Sequence, residues 1–121
     1  MSRRARVDLA RLAAEQRGRR AERLAKWFLR LKGYRILGER IRVRGGEVDI
    51  VARHGRTIVF AEVKARPDET SADAAIDAAR LTRVRTAAHQ LWPRYAKGAD
   101  GARIDAVLIM PRRWPVHLKD I

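Results

Sequence analysis

The segment 47–65 constrains the fold of this chain more than any other part of the sequence. It contains two runs rich in Val, Ile and Phe, 47–53 and 56–65, which are separated by His54-Gly55. Two such runs around a short turn that contains Gly are typical of a β-hairpin. Pro67 follows the second run and is expected to end it, because Pro cannot donate a hydrogen bond within a sheet. The chain is therefore expected to form a sheet that includes this hairpin.

Helices are expected on both sides of the hairpin in the sequence. Apolar residues recur at three- and four-residue spacing over 19–32, which indicates an amphipathic helix that Gly33 ends. Residues 7–16 are also compatible with a helix, but Gly18 weakens its continuity with the next one. We interpret residues 1–17 as a basic N-terminal arm, either flexible or helical. A second long helix is expected over 71–97, with Ser71 as a candidate cap.

Three further segments have strand character. These are 34–43, the apolar run 106–110 that Pro111 ends, and the short segment 116–118. The order of helix, three strands, helix and strand places the chain in the α/β class, as a central mixed sheet flanked by helices. Residues 18–121 are expected to form a single domain.

The chain carries a large excess of positive charge. It has 28 Lys and Arg against 14 Asp and Glu, a formal net charge of +14. Such a charge favours polyanionic partners, nucleic acid above all. The chain contains no Cys, which excludes disulfides and thiolate metal sites. It also has no apolar run of about 20 residues, so we expect no membrane span and a cytoplasmic location.

The acids of the hairpin are expected to share one face. If His54-Gly55 is the turn, the pairing sets Asp49 opposite Phe60 and Glu47 opposite Glu62. Side chains alternate between the faces with period two, so Asp49 and Glu62 become diagonal neighbours with Cβ atoms about 7 Å apart. The shared face then carries three acids and one lysine: Glu47, Asp49, Glu62 and Lys64.

Acids gathered beside apolar strands require a compensating cation. Carboxylate oxygens without Cys favour Mg²⁺ or Mn²⁺, which suits phosphodiester hydrolysis with Lys64 orienting water or offsetting charge at phosphorus. An alternative is that Asp49 and Glu62 simply pair with arginines on a solvated sheet face. Glu47 is an accessory acid with alternatives of its own, since it can cap the turn after Gly46 or neutralise a neighbouring arginine.

Two sequence motifs resemble those of a known family. Residues 46–51 read Gly-Glu-Val-Asp-Ile-Val, and residues 59–66 read Val-Phe-Ala-Glu-Val-Lys-Ala-Arg. Together they resemble the signature of the bacterial YraN family, and the resemblance covers nearly everything after residue 17. It implies a restriction-endonuclease-like fold of the PD-(D/E)xK type, similar to that of archaeal Holliday junction resolvases.

The resemblance also implies roles for individual residues. Glu22, Asp49, Glu62 and Lys64 take the catalytic positions, and Asp49, Glu62 and the backbone carbonyl of Val63 take the metal positions. The implied activity is a Mg²⁺- or Mn²⁺-dependent endonuclease acting on DNA, branched or damaged, in repair or recombination. Without the resemblance, Glu22 would be interpreted as the exposed i,i+4 partner of Lys26.

One position departs from the family pattern. The family often has a lysine where this chain has Arg80. A guanidinium stays charged but titrates poorly, so a proton-transfer role at this position is in doubt whereas phosphate contact is retained. Arg80 therefore favours the alternative of a non-catalytic nucleic-acid-binding module on a nuclease-like scaffold. A basic assembly factor for an RNA-rich particle is a third interpretation.

Candidate DNA contacts surround the hairpin. Trp92 lies at helical spacing and is expected to pack in the core, whereas Trp114, between Arg113 and Pro115, is expected to stack on unpaired bases. DNA is preferred over RNA, and a homodimer would suit a junction substrate. The candidate nucleic-acid-binding residues are Arg42, Arg44, Arg66, Arg80, Arg83 and Trp114.

Overall fold

A five-stranded β-sheet lies at the centre of the protein, with a long helix packed on each face. The computed structural model describes residues 1–66 and 78–121. Predictions that concern Pro67 and Ser71 lie outside the described residues. The elements are α1 (Arg3–Leu31), β1 (Arg35–Val43), β2 (Gly46–His54), β3 (Thr57–Ala65), α2 (Ala78–Tyr95), β4 (Gly101–Ile109) and β5 (Val116–Leu118).

The strands follow the order of the chain, β1-β2-β3-β4-β5. All neighbouring strands are antiparallel except β3 and β4, which run parallel. Parallel neighbours need a crossover connection, and α2 lies between these two strands in the sequence. The sheet is therefore mixed, as the α/β prediction requires.

Gly18, expected to weaken the continuity of the N-terminal helix, does not interrupt it. The stretch interpreted as a flexible or helical arm, 1–17, lies largely within α1, which runs unbroken from Arg3 to Leu31 and includes nearly all of the helix expected over 19–32. The Ser2 side chain accepts a hydrogen bond from the backbone N–H of Ala5 at 3.0 Å and caps the helix. A Cβ atom added at Gly18 would meet no other atom within 4 Å, so no close contact requires glycine there. The glycine costs the helix about 1 kcal/mol of propensity without interrupting it.

The hairpin turn is Gly55-Arg56, so the predicted turn at His54-Gly55 was wrong by one residue. His54 pairs with Thr57. Gly55 has a φ of +62°, and a two-residue turn of the II′ class needs glycine at this first central position.

The corrected turn moves the strand pairing by two residues. Phe60 pairs with Val51 rather than with Asp49, and the predicted pairing of Glu47 with Glu62 is wrong for the same reason. Continuation of the observed register brings Asp49 level with Glu62. Because the shift is an even number of residues, the paired residues 50–54 and 57–61 stay on the predicted faces of their strands. Val48 departs from this alternation, since it packs with Val51 on the α2 side.

Two apolar layers hold the helices to the sheet. Leu29 of α1 packs with Ile50 and Val59 on one face, and Val84 of α2 packs with Phe60 on the other. Trp92 is partly buried against this second layer, which confirms the packing expected for it. The helix expected over 71–97 is described from residue 78 and ends at Tyr95.

Close contact between α2 and β2 depends on one glycine. A Cβ atom at Gly46 would lie 2.4 Å from the carbonyl oxygen of Arg83 and 2.8 Å from the backbone nitrogen of Ala87. A side chain at this position would therefore push α2 away from the start of β2, the strand that carries two of the candidate site acids. Within the described ranges, neither helix is long and apolar enough to cross a membrane.

Candidate active site

Asp49 and Glu62 occupy neighbouring strands at the point where the β2–β3 ladder ends. The last backbone pair of the ladder is Ile50 with Ala61. Beyond it, the Asp49 carboxylate accepts a hydrogen bond from the backbone N–H of Val63 at 2.8 Å, in place of a backbone carbonyl. The Asp49 side chain is thus directed at the strand that carries Glu62, and the two predicted metal ligands are brought together.

Burial perturbs the Asp49 carboxyl group. Removal from water and the negative charge of Glu62 together raise the pKa of Asp49 to about 7, against the opposing effect of the hydrogen bond from Val63. Glu62 itself is fully buried. Two such carboxylates repel each other when both are ionised, so the site favours either a shared proton or an added cation.

Two basic side chains neutralise one oxygen of Glu62. Arg80 Nε donates to Glu62 Oε1 at 2.6 Å, and Lys64 Nζ lies 3.4 Å from the same atom. The second oxygen, Oε2, is buried and has no hydrogen-bond partner among the residues that the structure describes. Leaving a buried acceptor unpaired costs about 1–3 kcal/mol, so the position is suited to a ligand that contacts this oxygen.

The donor set fits a hard divalent cation. Mg²⁺ is commonly held by one or two carboxylates, with water and substrate phosphate supplying its other ligands. Asp49 and Glu62 provide such a pair. Residues 1–66 and 78–121 contain no group of three or more acidic or histidine side chains placed to hold an ion. Protein side chains would therefore supply only part of the coordination shell.

Glu22 and Glu47 lie near the pair but are engaged with arginines. Glu22 Oε2 accepts from Arg40 Nε at 2.5 Å. Lys26, its candidate i,i+4 partner, pairs instead with Glu39. Glu22 and Asp49 line the same cleft, of about 370 Å³, which also contains Glu47, Arg40 and Arg80. Glu22 therefore borders the site from α1 without contacting the carboxylate pair.

Glu47 forms ion pairs with three of the predicted DNA-binding arginines. Arg80 donates to its Oε1 atom, while Arg42 Nε and Arg83 Nη2 lie 3.5 Å and 3.9 Å from its Oε2 atom. Arg80 thus bridges Glu47 and Glu62. Hydrogen bonds and charge from these two acids raise the pKa of Arg80, although its partial burial alone would lower it. The guanidinium consequently stays charged at the edge of the site.

The other predicted DNA-binding residues lie elsewhere. The backbone carbonyl of Arg44 accepts a hydrogen bond from the Gln90 side chain at 2.8 Å. Arg66 and Trp114 line a separate groove on the α1 side of the sheet. The predicted binding residues therefore fall into two groups on opposite faces, and only Arg42, Arg80 and Arg83 adjoin the acids.

Comparison with known proteins assigns the family. The uncharacterised protein family UPF0102 matches residues 21–109. The chain belongs to the UPF0102 family. A UPF0102 protein of Sphingopyxis alaskensis is 57% identical over 110 residues, which cover 91% of this chain and 95% of the relative. A UPF0102 protein of Rhizorhabdus wittichii is 52% identical over 111 residues, which cover 92% and 94%. This is the family predicted under the name YraN, and that prediction is confirmed.

The UPF0102 chain also resembles a solved structure. Archaeoglobus fulgidus Hjc, described as a Holliday junction resolvase from an archaeal hyperthermophile, superposes with a TM-score of 0.59. The match covers 85% of this chain and 72% of Hjc at 23% sequence identity. At this identity the likeness concerns the fold, and it confirms the predicted restriction-endonuclease-like architecture.

Two side-chain contacts of the UPF0102 chain were not predicted from its sequence. Arg40, the partner of Glu22, was one of many available basic residues, and nothing in the sequence singles it out. Trp27 is 49% exposed and stacks on Trp114. The sequence offered no expectation for Trp27, and its neighbours at helical spacing, Leu24 and Leu31, are also exposed.

A second buried polar cluster lies away from the acids. Asp105 on β4 is fully buried and accepts hydrogen bonds from Arg103, from His117 Nε2 at 2.7 Å and from the backbone N–H of Asp120 at 3.0 Å. Burial alone would raise the pKa of Asp105, but these hydrogen bonds hold it well below its usual value. The cluster ties β4 to β5 and to the C-terminal residues of the UPF0102 chain.

Proposed function

We propose that this UPF0102 protein is a Mg²⁺- or Mn²⁺-dependent endonuclease that hydrolyses phosphodiester bonds in DNA, with branched or damaged DNA as its substrate. One observation carries the proposal. The half-buried carboxylate of Asp49 and the buried carboxylate of Glu62 lie on adjacent strands, with Glu62 Oε2 unpaired among the described residues and Lys64 beside Glu62. A protein with a net charge of +14 is suited to bring such a site to a polyanion.

Asp49, Glu62 and the backbone carbonyl of Val63 would hold the ion. The N–H of Val63 points toward Asp49, and the carbonyl of a strand residue points to the same strand edge as its own N–H. When bound, the ion would polarise a phosphoryl oxygen and lower the pKa of a water molecule. Lys64 would orient the attacking water or offset the charge that develops at phosphorus. Glu22 would contribute from the opposite wall of the cleft.

Arginines at the cleft would grip the DNA backbone. Arg42 and Arg83 are exposed and lie next to the acids, so they can contact phosphates on either side of the scissile bond. Such contacts position DNA without reading its sequence. The structural neighbour Hjc is described as a Holliday junction resolvase, which supports branched DNA as the first substrate to examine. A homodimer would suit a junction with two-fold symmetry.

A cleavage assay tests the proposal. Labelled duplex, flap and four-way-junction DNA would be incubated with the protein in Mg²⁺, Mn²⁺ or EDTA. We expect cleavage of at least one substrate with either metal, no cleavage in EDTA, and none by Glu62→Gln. Glu39→Gln is the matched control, because Glu39 is an exposed acid paired with Lys26 outside the site. Cleavage in EDTA, or by Glu62→Gln at the wild-type rate, would contradict the proposal.

The position of Arg80 favours a second candidate, a non-catalytic nucleic-acid-binding module. Arg80 binds both Glu47 and Glu62, so it neutralises these acids without a metal ion. In that case the protein would bind the same DNA substrates, show no cleavage with either metal, and bind them equally well after Glu62→Gln. The same assay, combined with a binding measurement in each buffer, separates the two functions.

A further inference from the structure

A second groove lies on the α1 side of the sheet, at the C-terminal ends of β3 and β4. It has a volume of about 880 Å³, within the size range of ligand sites, and the buried residues Ala21 and Met110 contribute to its lining. Among its described lining residues, none is acidic and five are arginines: Arg17, Arg20, Arg66, Arg112 and Arg113.

Two stacked tryptophans flank this groove. The rings of Trp27 and Trp114 are parallel to within 3°, with centroids 5.9 Å apart, and they remain 49% and 67% exposed. The loop that carries Trp114 is bounded by Pro111 and Pro115, whose fixed φ angles limit its conformations. An exposed, preorganised aromatic pair can accept another flat ring at a low cost in conformational entropy.

We propose that this groove binds unpaired nucleotides, whose bases stack on the exposed face of Trp114 or Trp27 while groove arginines contact the phosphates. Aromatic faces combined with a positively charged channel are the features that bind single strands. At this groove, where the described lining includes five arginines and no acid, the positive charge disfavours a second copy of this basic chain as the occupant. The proposal rests on the proposed function, because it specifies the form of DNA that reaches the site.

The groove and the carboxylate pair share the end of β3. Lys64 lies beside Glu62 on the α2 side, and the next residue, Ala65, lines the groove on the α1 side. Consecutive strand residues project to opposite faces and are separated by roughly 3.3 Å along the strand. At the end of β3, the groove and Lys64 are therefore adjacent in the strand, on opposite faces of the sheet. This arrangement suits DNA in which a duplex meets unpaired nucleotides, rather than intact duplex.

Tryptophan fluorescence in EDTA tests the proposal without cleavage. Oligo-deoxythymidine and a duplex of equal length would be titrated into the wild type, Trp27→Ala, Trp114→Ala and the control Trp92→Phe, which alters a partly buried tryptophan against the α2 layer. We expect Trp114→Ala to weaken oligo-deoxythymidine binding roughly 5- to 100-fold, the effect of losing one stacked base. Duplex binding should change by less than about twofold, and Trp92→Phe should bind as the wild type.

Two further variants keep the test decisive if Trp114→Ala folds poorly. Trp114→Phe should retain most of the single-strand affinity, because the stacking surface remains. Arg20→Glu should weaken oligo-deoxythymidine binding and reduce its dependence on salt. Circular dichroism and thermal unfolding would establish that each variant is folded.

Several outcomes would overturn the proposal. These are unchanged single-strand binding in both tryptophan variants, an equal loss of duplex and single-strand binding, or a change of oligomeric state without a change in binding, which would assign the groove to a second copy. Failure of the endonuclease proposal would be visible separately, as intact single-strand binding by a protein that cleaves no substrate with Mg²⁺ or Mn²⁺.

Discussion

The carboxylate of Asp49 accepts a hydrogen bond from the backbone N–H of Val63 at 2.8 Å. This contact joins β2 to β3 at the residue that separates Glu62 from Lys64 in the sequence. The backbone of β3, which carries Glu62 and Lys64, therefore also holds the side chain of Asp49 in place. The proposed site consequently depends on strand pairing rather than on a flexible loop, which favours precise positioning.

We expect Asp49→Asn to abolish cleavage while preserving DNA binding. The substitution removes a negative charge near the phosphate but keeps the shape and the acceptor for the Val63 hydrogen bond. Single-turnover rates should fall by at least about 1,000-fold, and the dissociation constant for DNA should stay within about threefold of the wild type or improve. Wild-type cleavage by the variant would remove Asp49 from the mechanism.

Lys64→Ala should slow the chemical step with little loss of affinity. Lys64 Nζ lies 3.4 Å from Glu62 Oε1, next to a proposed metal ligand. We expect kcat to fall roughly 100-fold with KM almost unchanged. Exposed Lys97 offers a control, as Lys97→Ala. A defect confined to KM would reassign Lys64 to phosphate binding.

Asp49 should destabilise the metal-free protein as pH rises. Its folded pKa of about 7 lies above its ordinary value of 3.8, so the unfolded chain ionises first and stability falls between about pH 4 and pH 7. Asp49→Asn removes this loss, and it should raise the free energy of unfolding by about 1–3 kcal/mol at pH 8 and by less at pH 5. Urea unfolding in EDTA at both pH values measures the difference. If the substitution changed the free energy of unfolding equally at the two pH values, the pKa of Asp49 would not be raised in the folded protein.

Asp105 should have the opposite pH dependence. Its folded pKa is lowered by Arg103 and His117, so its contribution to stability is complete above the unfolded pKa near 4 and is lost as pH falls further. Asp105→Asn should destabilise the protein by about 3 kcal/mol at pH 7. The difference from the wild type should shrink below pH 4. Asp100→Asn, at an exposed acid paired with Arg56, should have little effect on the unfolding midpoint.

The sequence was sufficient to predict which face carries the site acids but not which residues are paired. The alternation of Val, Ile and Phe defines the faces of β2 and β3, and an error of two residues in register leaves those faces unchanged. The error arose because His54-Gly55 and Gly55-Arg56 are both acceptable as two-residue turns. The left-handed backbone of Gly55 decides between them.

Ion-pair partners and exposure were harder to predict. Glu22 could pair with any of many basic residues, and its pairing with Arg40 results from the packing of α1 beside β1. The strand expected over 106–110 in fact runs from Gly101 to Ile109. Its first half was missed because Arg103 and Asp105 are polar, and their pairing with each other within the strand is not evident from the sequence. The contact of Trp27 with Trp114 joins residues that are far apart in the sequence, so only the three-dimensional arrangement reveals it.

A titration of the metal-free protein with Mn²⁺, measured by calorimetry in the absence of DNA, tests the central claim most directly. We predict that the wild type binds a single Mn²⁺ ion and that Asp49→Asn and Glu62→Gln each weaken binding by at least about tenfold. Glu39→Gln should bind like the wild type, since Glu39 pairs with Lys26 away from the carboxylates. Equal Mn²⁺ affinity in the wild type and in both site variants would contradict the account.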